Sequence, residues 1–143
     1  MTLTTASDVK FTIPGEPVAK GRPRLTTVNG FARAYTPAKT ANYESLVALA
    51  AQQAECPMFD GAVSVHIRAI WPCPKSQERK KLPRPPQWKI TKPDADNCGK
   101  CICDGLNGIA WRDDSQVASL TVVKLIGAQG EQPRVEVCIK RLD

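Results

Sequence analysis

Apolar and polar residues alternate over Val9-Lys-Phe-Thr-Ile13, the period of a strand with one buried face, and Pro14-Gly15 ends the run. Between Thr26 and Tyr35, short β-forming stretches flank Asn29-Gly30, a pair suited to a tight hairpin. Thr36-Pro37 reads as an N-cap followed by a first helical residue. The helix predicted over about 37–55 gathers Tyr43, Leu46, Val47, Ala50 and Ala54 on one stripe. Strict alternation returns over 61–71, with Val63, Val65, Ile67 and Ala69 on one face and Ser64, His66 and Arg68 on the other. A polar, proline-rich segment runs from there to Pro93, and a short helix is predicted over about 96–106, stopped by Asn107-Gly108. Residues 119–126 and 134–140 read as two closing strands joined by a glycine-containing turn.

Helices interleaved with strands, with no internal repeat, predict an α/β (α+β) chain: a small mixed β-sheet packed with two helices, as one domain over 1–143. A chain of 143 residues is long enough to bury its own core without disulfides or a structural metal. At 42% apolar residues a disordered chain is excluded. No apolar run approaches the roughly 18 residues of a membrane span, and the first residues lack the pattern of a secretory signal. The expectation is a cytoplasmic protein with no membrane partner.

Six cysteines could be read as disulfides, but Cys98, Cys101 and Cys103 crowd one helical segment where bridge geometry is hard to reach. Cys98 and Cys101 have zinc-ligand spacing, yet a second CxxC or a histidine pair is missing. Both fall on the predicted core-facing stripe with Ile102, so small buried packing residues are the stronger reading, and Cys103 is expected to be the exposed thiol near the acids. The single histidine, His66, is expected to be a solvated strand residue, which excludes chemistry needing several histidines.

The net charge of +6 favours a polyanionic partner, and its placement is more informative than its size. Between 72 and 92 lie Lys75, Arg79, Lys80, Lys81, Arg84, Lys89 and Lys92 against Glu78 alone, a local +6 equal to the whole chain's balance. Five prolines stiffen this loop, and Trp88 is its one aromatic residue. A second basic group is Lys20, Arg22 and Arg24, with Arg33 nearby.

The sign then reverses: Asp94, Asp96, Asp104, Asp113 and Asp114 place five of the fourteen acids in 21 residues. Carboxylates repel phosphates, so this arrangement suits DNA only if the acids hold divalent cations that in turn hold a phosphate. Asp94 ends an extended segment set by Pro93, and Asp96 caps the helix or enters its first turn. At about 100° per residue, Asp96, Lys100 and Asp104 share one stripe, with Asn97 and Cys103 at its edges. If the chain returns beside this helix, Asp94, Asp96 and one of Asp113 and Asp114 can converge on Mg²⁺, with Lys100 at the scissile phosphate.

Lys92-Pro-Asp-Ala-Asp-Asn-Cys-Gly-Lys-Cys-Ile-Cys-Asp-Gly-Leu106 and Trp111-Arg-Asp-Asp-Ser-Gln-Val117 resemble the RusA family of Holliday junction resolvases. The pattern is D-x-D-N-x-x-K-x-x-x-D-x-L followed by W-x-D-D-x-Q-V, and Gly15 to Arg24 is similar to a stretch common in phage members. The resemblance implies a homodimeric, phage- or prophage-type endodeoxyribonuclease that binds four-way or otherwise branched DNA in a bacterial host. It further implies paired nicks with Mg²⁺, or Mn²⁺ in its place. It puts the catalytic aspartates on Asp94, Asp96 and Asp114 and the catalytic lysine on Lys100. Asp113 is then the other metal-site acid, and Asn97 the motif's amide at the DNA. The proline-rich loop and the three helix cysteines depart from compact members. Two readings of other classes stay open: a non-catalytic DNA-binding or regulatory module, and a zinc-stabilised interaction domain.

Overall fold

The computed structural model describes residues 8–21, 24–28, 31–35 and 38–143, with backbone alone for 24–28 and 31–35. Five strands form a mixed sheet in the order β1 (Asp8–Pro14), β7 (Arg134–Arg141), β4 (Val63–Trp71), β6 (Val117–Ile126) and β5 (Gln87–Trp88). A separate antiparallel hairpin joins β2 (Arg24–Val28) to β3 (Phe31–Tyr35). The helices are α1 (Ala38–Gln53) and α2 (Ala95–Leu106). This is the predicted small α+β architecture of a mixed sheet with two helices. The N-cap expected at Thr36-Pro37 and the turn at Asn29-Gly30 lie outside the described residues.

Alternation along the strands sorts the sheet's faces. Val63, Val65, Ile67 and Ala69 of β4, Val135, Val137 and Ile139 of β7, and Phe11 and Ile13 of β1 are all buried. They meet Tyr43, Val47, Ala50 and Ala51 of α1 and Cys98, Cys101, Ile102 and Leu106 of α2 in one core. The opposite face carries Lys10, Thr12, His66, Arg68 and Lys140, all exposed, so His66 is the solvated strand residue its alternation indicated. The parallel pairing of β4 with β6 requires a crossover, and the chain from 72 to 116, including α2, makes it. The crossover leaves β4 with the basic loop at the Trp71–Ile126 end of the sheet and enters β6 through Asp113 and Asp114 at the Val63–Val117 end, with α2 between them.

The loop is more structured than its prolines suggested. It contains one 3₁₀ turn, Lys75–Gln77, and its later part adds β5 as an edge strand against Leu125 and Ile126. The Gln129 side chain holds it from the β6–β7 turn: Oε1 accepts from the backbone N of Arg79 (2.8 Å) and Arg84 (3.1 Å), and Nε2 donates to Arg79 O (3.0 Å). Long-range bonds to a side chain about fifty residues away thus give it order that composition does not reveal.

Gly105 sets how closely α1 and α2 approach. A Cβ there would lie 2.9 Å from Val47 Cβ and 3.0 Å from the Glu44 carbonyl oxygen, neither of which can rotate aside. Gly105→Ala gains about 1 kcal/mol in helix propensity, but the overpacking costs about 1–3 kcal/mol. The clash wins, and the variant is expected to unfold at a lower urea midpoint than the parent; an unchanged or higher midpoint would contradict the close packing. Gly99 faces only the movable side chains of Val122 and Leu120, so Gly99→Ala is the milder change.

Candidate functional site

Asp94 takes the N-cap position of α2 in extended conformation (φ −71°, ψ 150°), and its side chain makes no capping bond. Its carbonyl accepts the first helical bond from Cys98 N at 3.2 Å, which leaves the carboxylate exposed. Asp96 stands in the first turn, also exposed, as are Asn97 and Lys100 one turn further on. Cys98, Cys101 and Ile102 are at most 2% exposed on the opposite side of the helix. The amphipathic spacing therefore delivers Asp94, Asp96 and Lys100 to solvent on an anchored helix.

The segment leading to Asp94 is fixed from the sheet. Lys124 Nζ donates to Thr91 O at 2.8 Å and to Pro93 O at 2.6 Å. In the β4–β6 register Lys124 is paired with Ala69, on the face where the core lies, and its ammonium caps carbonyls where an apolar residue would sit.

At the other end of α2, the acids divide by role. The Asp113 carboxylate turns back on its own loop, accepting from Ser115 N at 3.2 Å and from the Ser115 hydroxyl, in a capping box completed by Gln116. Those bonds to Ser115 lower its pKa. Asp114 turns inward: its Oδ1 accepts from the indole Nε1 of buried Trp111 at 2.8 Å, and its carboxyl lies within hydrogen-bond reach of Asp104. Burial raises the Asp114 pKa, the indole bond opposes the rise, and the charges of Asp104 and Asp113 add to it. Asp104 follows Asp96 by two helical turns, about 12 Å along the axis. The acids therefore stand at both ends of one helical stripe, with Lys100 between them. Among the described residues, no three of the histidines, cysteines and acids come close enough together to hold one ion.

An open groove of about 1180 Å³ runs beside the start of α2. Lys39, Lys89, Lys92, Asp94 and Asn97 line it, along with residues 16–21. A smaller concavity of about 410 Å³ on the uncovered sheet face has Glu136 as its only carboxylate, and Arg68 and Arg134 already pair with that group. The groove is the one that joins cations to the exposed acids.

The family model for endodeoxyribonuclease RusA matches residues 14–140 of the chain. The chain belongs to the RusA family. The uncharacterized protein YqaN of Bacillus subtilis (strain 168) is 40% identical over 140 residues, which span 94% of this chain and 96% of YqaN.

The basic positions of this RusA-family chain differ in their availability. Lys75, Arg79, Lys80, Lys81 and Lys92 are exposed and form no ion pair among the described residues. Arg84 is half-buried and bonds Gln77 O through Nε at 2.8 Å, holding the loop. Lys89 lies 5.1 Å from the centroid of the Trp71 ring and donates to Thr91 Oγ1. Lys20 is drawn into ion pairs with Glu44 and Asp104. Arg22 lies outside the described residues, and Arg24 is described by backbone alone.

Sequence reasoning missed Lys39, Glu44, Lys124 and the Trp111 donor. For Lys124 a signal existed, a lone lysine within the apolar run Val122-Val-Lys-Leu-Ile126; Glu44 offered none. Cys103 corrects an expectation: it is 9% exposed rather than solvent-facing, and burial, with the nearby charges of Asp114 and Asp104, pushes its thiol up to about 12. It flanks the acids from the core side. No helix among the described residues is long and apolar enough to cross a membrane.

Proposed function

We propose that this RusA-family chain is a Mg²⁺-dependent, structure-selective endodeoxyribonuclease that resolves four-way and other branched DNA by paired nicks. The observation that carries the reading is the pair of exposed, uncapped carboxylates, Asp94 and Asp96, at the head of α2 beside a lysine-lined groove. The donor chemistry fits the cation: Mg²⁺ takes a few carboxylate oxygens and fills its remaining positions with water and substrate phosphate. Asp94 and Asp96 would hold it at the head of α2; Asp114 stands with Asp104 at the far end of the helix, and Asp113 is already occupied by Ser115. When bound, such a cation (Mn²⁺ substituting for it) supplies Lewis acidity and an activated water.

The chain's own residues do the rest. Lys100, exposed between the two acidic ends of the stripe, offsets charge on the scissile phosphate. Lys92 and the free lysines and arginines of the loop bind the DNA arms, and Asn97 hydrogen-bonds within the groove. Trp88, at 72% exposure, offers a ring on which an unpaired base can stack. Two symmetric nicks call for two sites related by a twofold axis, hence a homodimer of the phage or prophage type.

The test is cleavage of a synthetic four-way junction by the wild-type protein with Mg²⁺ and with EDTA. Paired nicks that require the metal are expected. Tight junction binding without nicking under Mg²⁺ or Mn²⁺ would instead favour the non-catalytic module.

A further inference from the structure

We propose that the uncovered face of the sheet binds the phosphate backbone of a second DNA arm, apart from the arm that reaches the head of α2; this rests on the branched-DNA reading above. The face presents its polar side chains in cross-strand rows. Lys10 of β1, Cys138 of β7, His66 of β4 and Thr121 of β6 are in register as one row. Lys140, Ser64 and Ser119 form the row beside it. Neighbouring strands lie about 4.8 Å apart, so Lys10 stands roughly 10 Å from His66, with β7 and its Lys140 between their strands.

The two rows line a concavity of about 370 Å³ that has no carboxylate in its wall. Lys10 and Lys140 are exposed and form no ion pair among the described residues. That separates them from Lys20, which two carboxylates hold, and from Arg68 and Arg134, which pair with Glu136. The adjoining concavity of about 410 Å³ shares Lys10, His66 and Cys138, and its acid is the Glu136 that those arginines neutralise. Asp8 is opposite Lys140 in the β1–β7 register, at the edge of the sheet, and does not pair with it.

The chemistry fits a phosphodiester backbone. Two unpaired ammonium groups supply charge, and His66 with the hydroxyls of Ser64, Ser119 and Thr121 supplies donors for phosphate oxygens. A second copy stacked on this face about a twofold axis would set these cations against their own duplicates, so the charge favours a polyanion. Position decides which DNA it is. Both helices pack on the other face, so the thickness of the sheet separates this surface from Asp94 and Asp96. DNA held here is another arm of the same branched substrate, not the strand at the acids.

The test compares the double variant Lys10→Gln, Lys140→Gln with the parent by fluorescence anisotropy in EDTA, on a four-way junction and on a short isolated duplex, across a salt series. On the junction the double variant is expected to bind about tenfold more weakly or worse at about 0.1 M salt, with a salt slope smaller by about two. On the duplex, which the groove beside α2 suffices to hold, its affinity stays within about twofold. Junction affinity within about threefold of the parent, or an equal loss on both DNAs, overturns the proposal.

Should the double variant fail to fold, lysine acetylation of the unaltered chain, read by mass spectrometry, still decides. The junction is expected to shelter Lys10 and Lys140, and the isolated duplex to leave them reactive. Equal reactivity with and without the junction overturns the proposal, as does sheltering that appears with rising protein concentration and no DNA, which assigns the face to a second copy. Both measurements are made without divalent metal. A chain that shelters these lysines on a junction yet never nicks it with Mg²⁺ or Mn²⁺ therefore refutes the nuclease reading and supports this one.

Discussion

Asp96→Asn is expected to lower Mg²⁺-dependent cleavage of a four-way junction by on the order of 100-fold or more, while junction binding without metal is retained or strengthened. Asparagine keeps the shape of the side chain and one acceptor oxygen but removes the negative charge that a hard divalent cation requires. Asp96 is exposed in the first turn of α2, so the change leaves the core untouched. The loss of a favourable acid at a helix N-terminus costs only about 0.3–1 kcal/mol of stability. Activity and stability therefore separate, and a thermal melt run beside the cleavage assay distinguishes lost chemistry from lost fold. Binding moves the other way because a carboxylate facing phosphates is removed. Cleavage by Asp96→Asn within threefold of the parent would remove this residue from the metal site.

Trp111→Ala is expected to produce the largest loss of stability, about 3–5 kcal/mol. Trp111 is the largest fully buried side chain, at 0% exposure. It also organises its surroundings: backbone bridges join it to Phe59 and Asn107, and its carbonyl accepts from Gly108 N at 2.7 Å. Truncation leaves a cavity beneath the end of α2 and frees Asp114 from its indole donor. For a chain of this size the melting temperature should fall by about 10–20 °C, measured by circular dichroism. Trp111→Phe is the control: it refills most of the cavity, recovers much of the stability, and still lacks the donor to Asp114. A fall below about 4 °C for the alanine variant would mean the site collapses around the loss.

Much of the fold was legible because its signals are local. Period-two alternation marked β1, β4 and β7, and an apolar stripe marked α1; Asn107 is the C-cap of α2, and the Gly108 that follows has a positive φ of 81°. The head of α2 was legible for the same reason. Asp96 lies two positions after Asp94 and Lys100 four positions after Asp96, so helix geometry alone puts them at one exposed corner. The basic loop was visible in composition, though the Gln129 side chain that orders it was not.

The chain's local spacing thus determined the buried faces of β1 and β4, the core-facing stripe of α2 apart from Cys103, where α2 stops, and that two aspartates and a lysine stand exposed on α2. Only the tertiary structure decided the strand order, the parallel pairing of β4 with β6, and the partners of the remaining charged groups. It seats Asp114 beside Asp104 and turns Asp113 onto Ser115; it places Lys20 between Glu44 and Asp104 and aims Lys124 at the carbonyls of Thr91 and Pro93. The physical reason is range. Periodicity constrains neighbours three or four residues apart, but an ion pair such as Lys20 with Asp104 joins residues 84 apart in the chain, brought together only when α1 and α2 pack on the sheet.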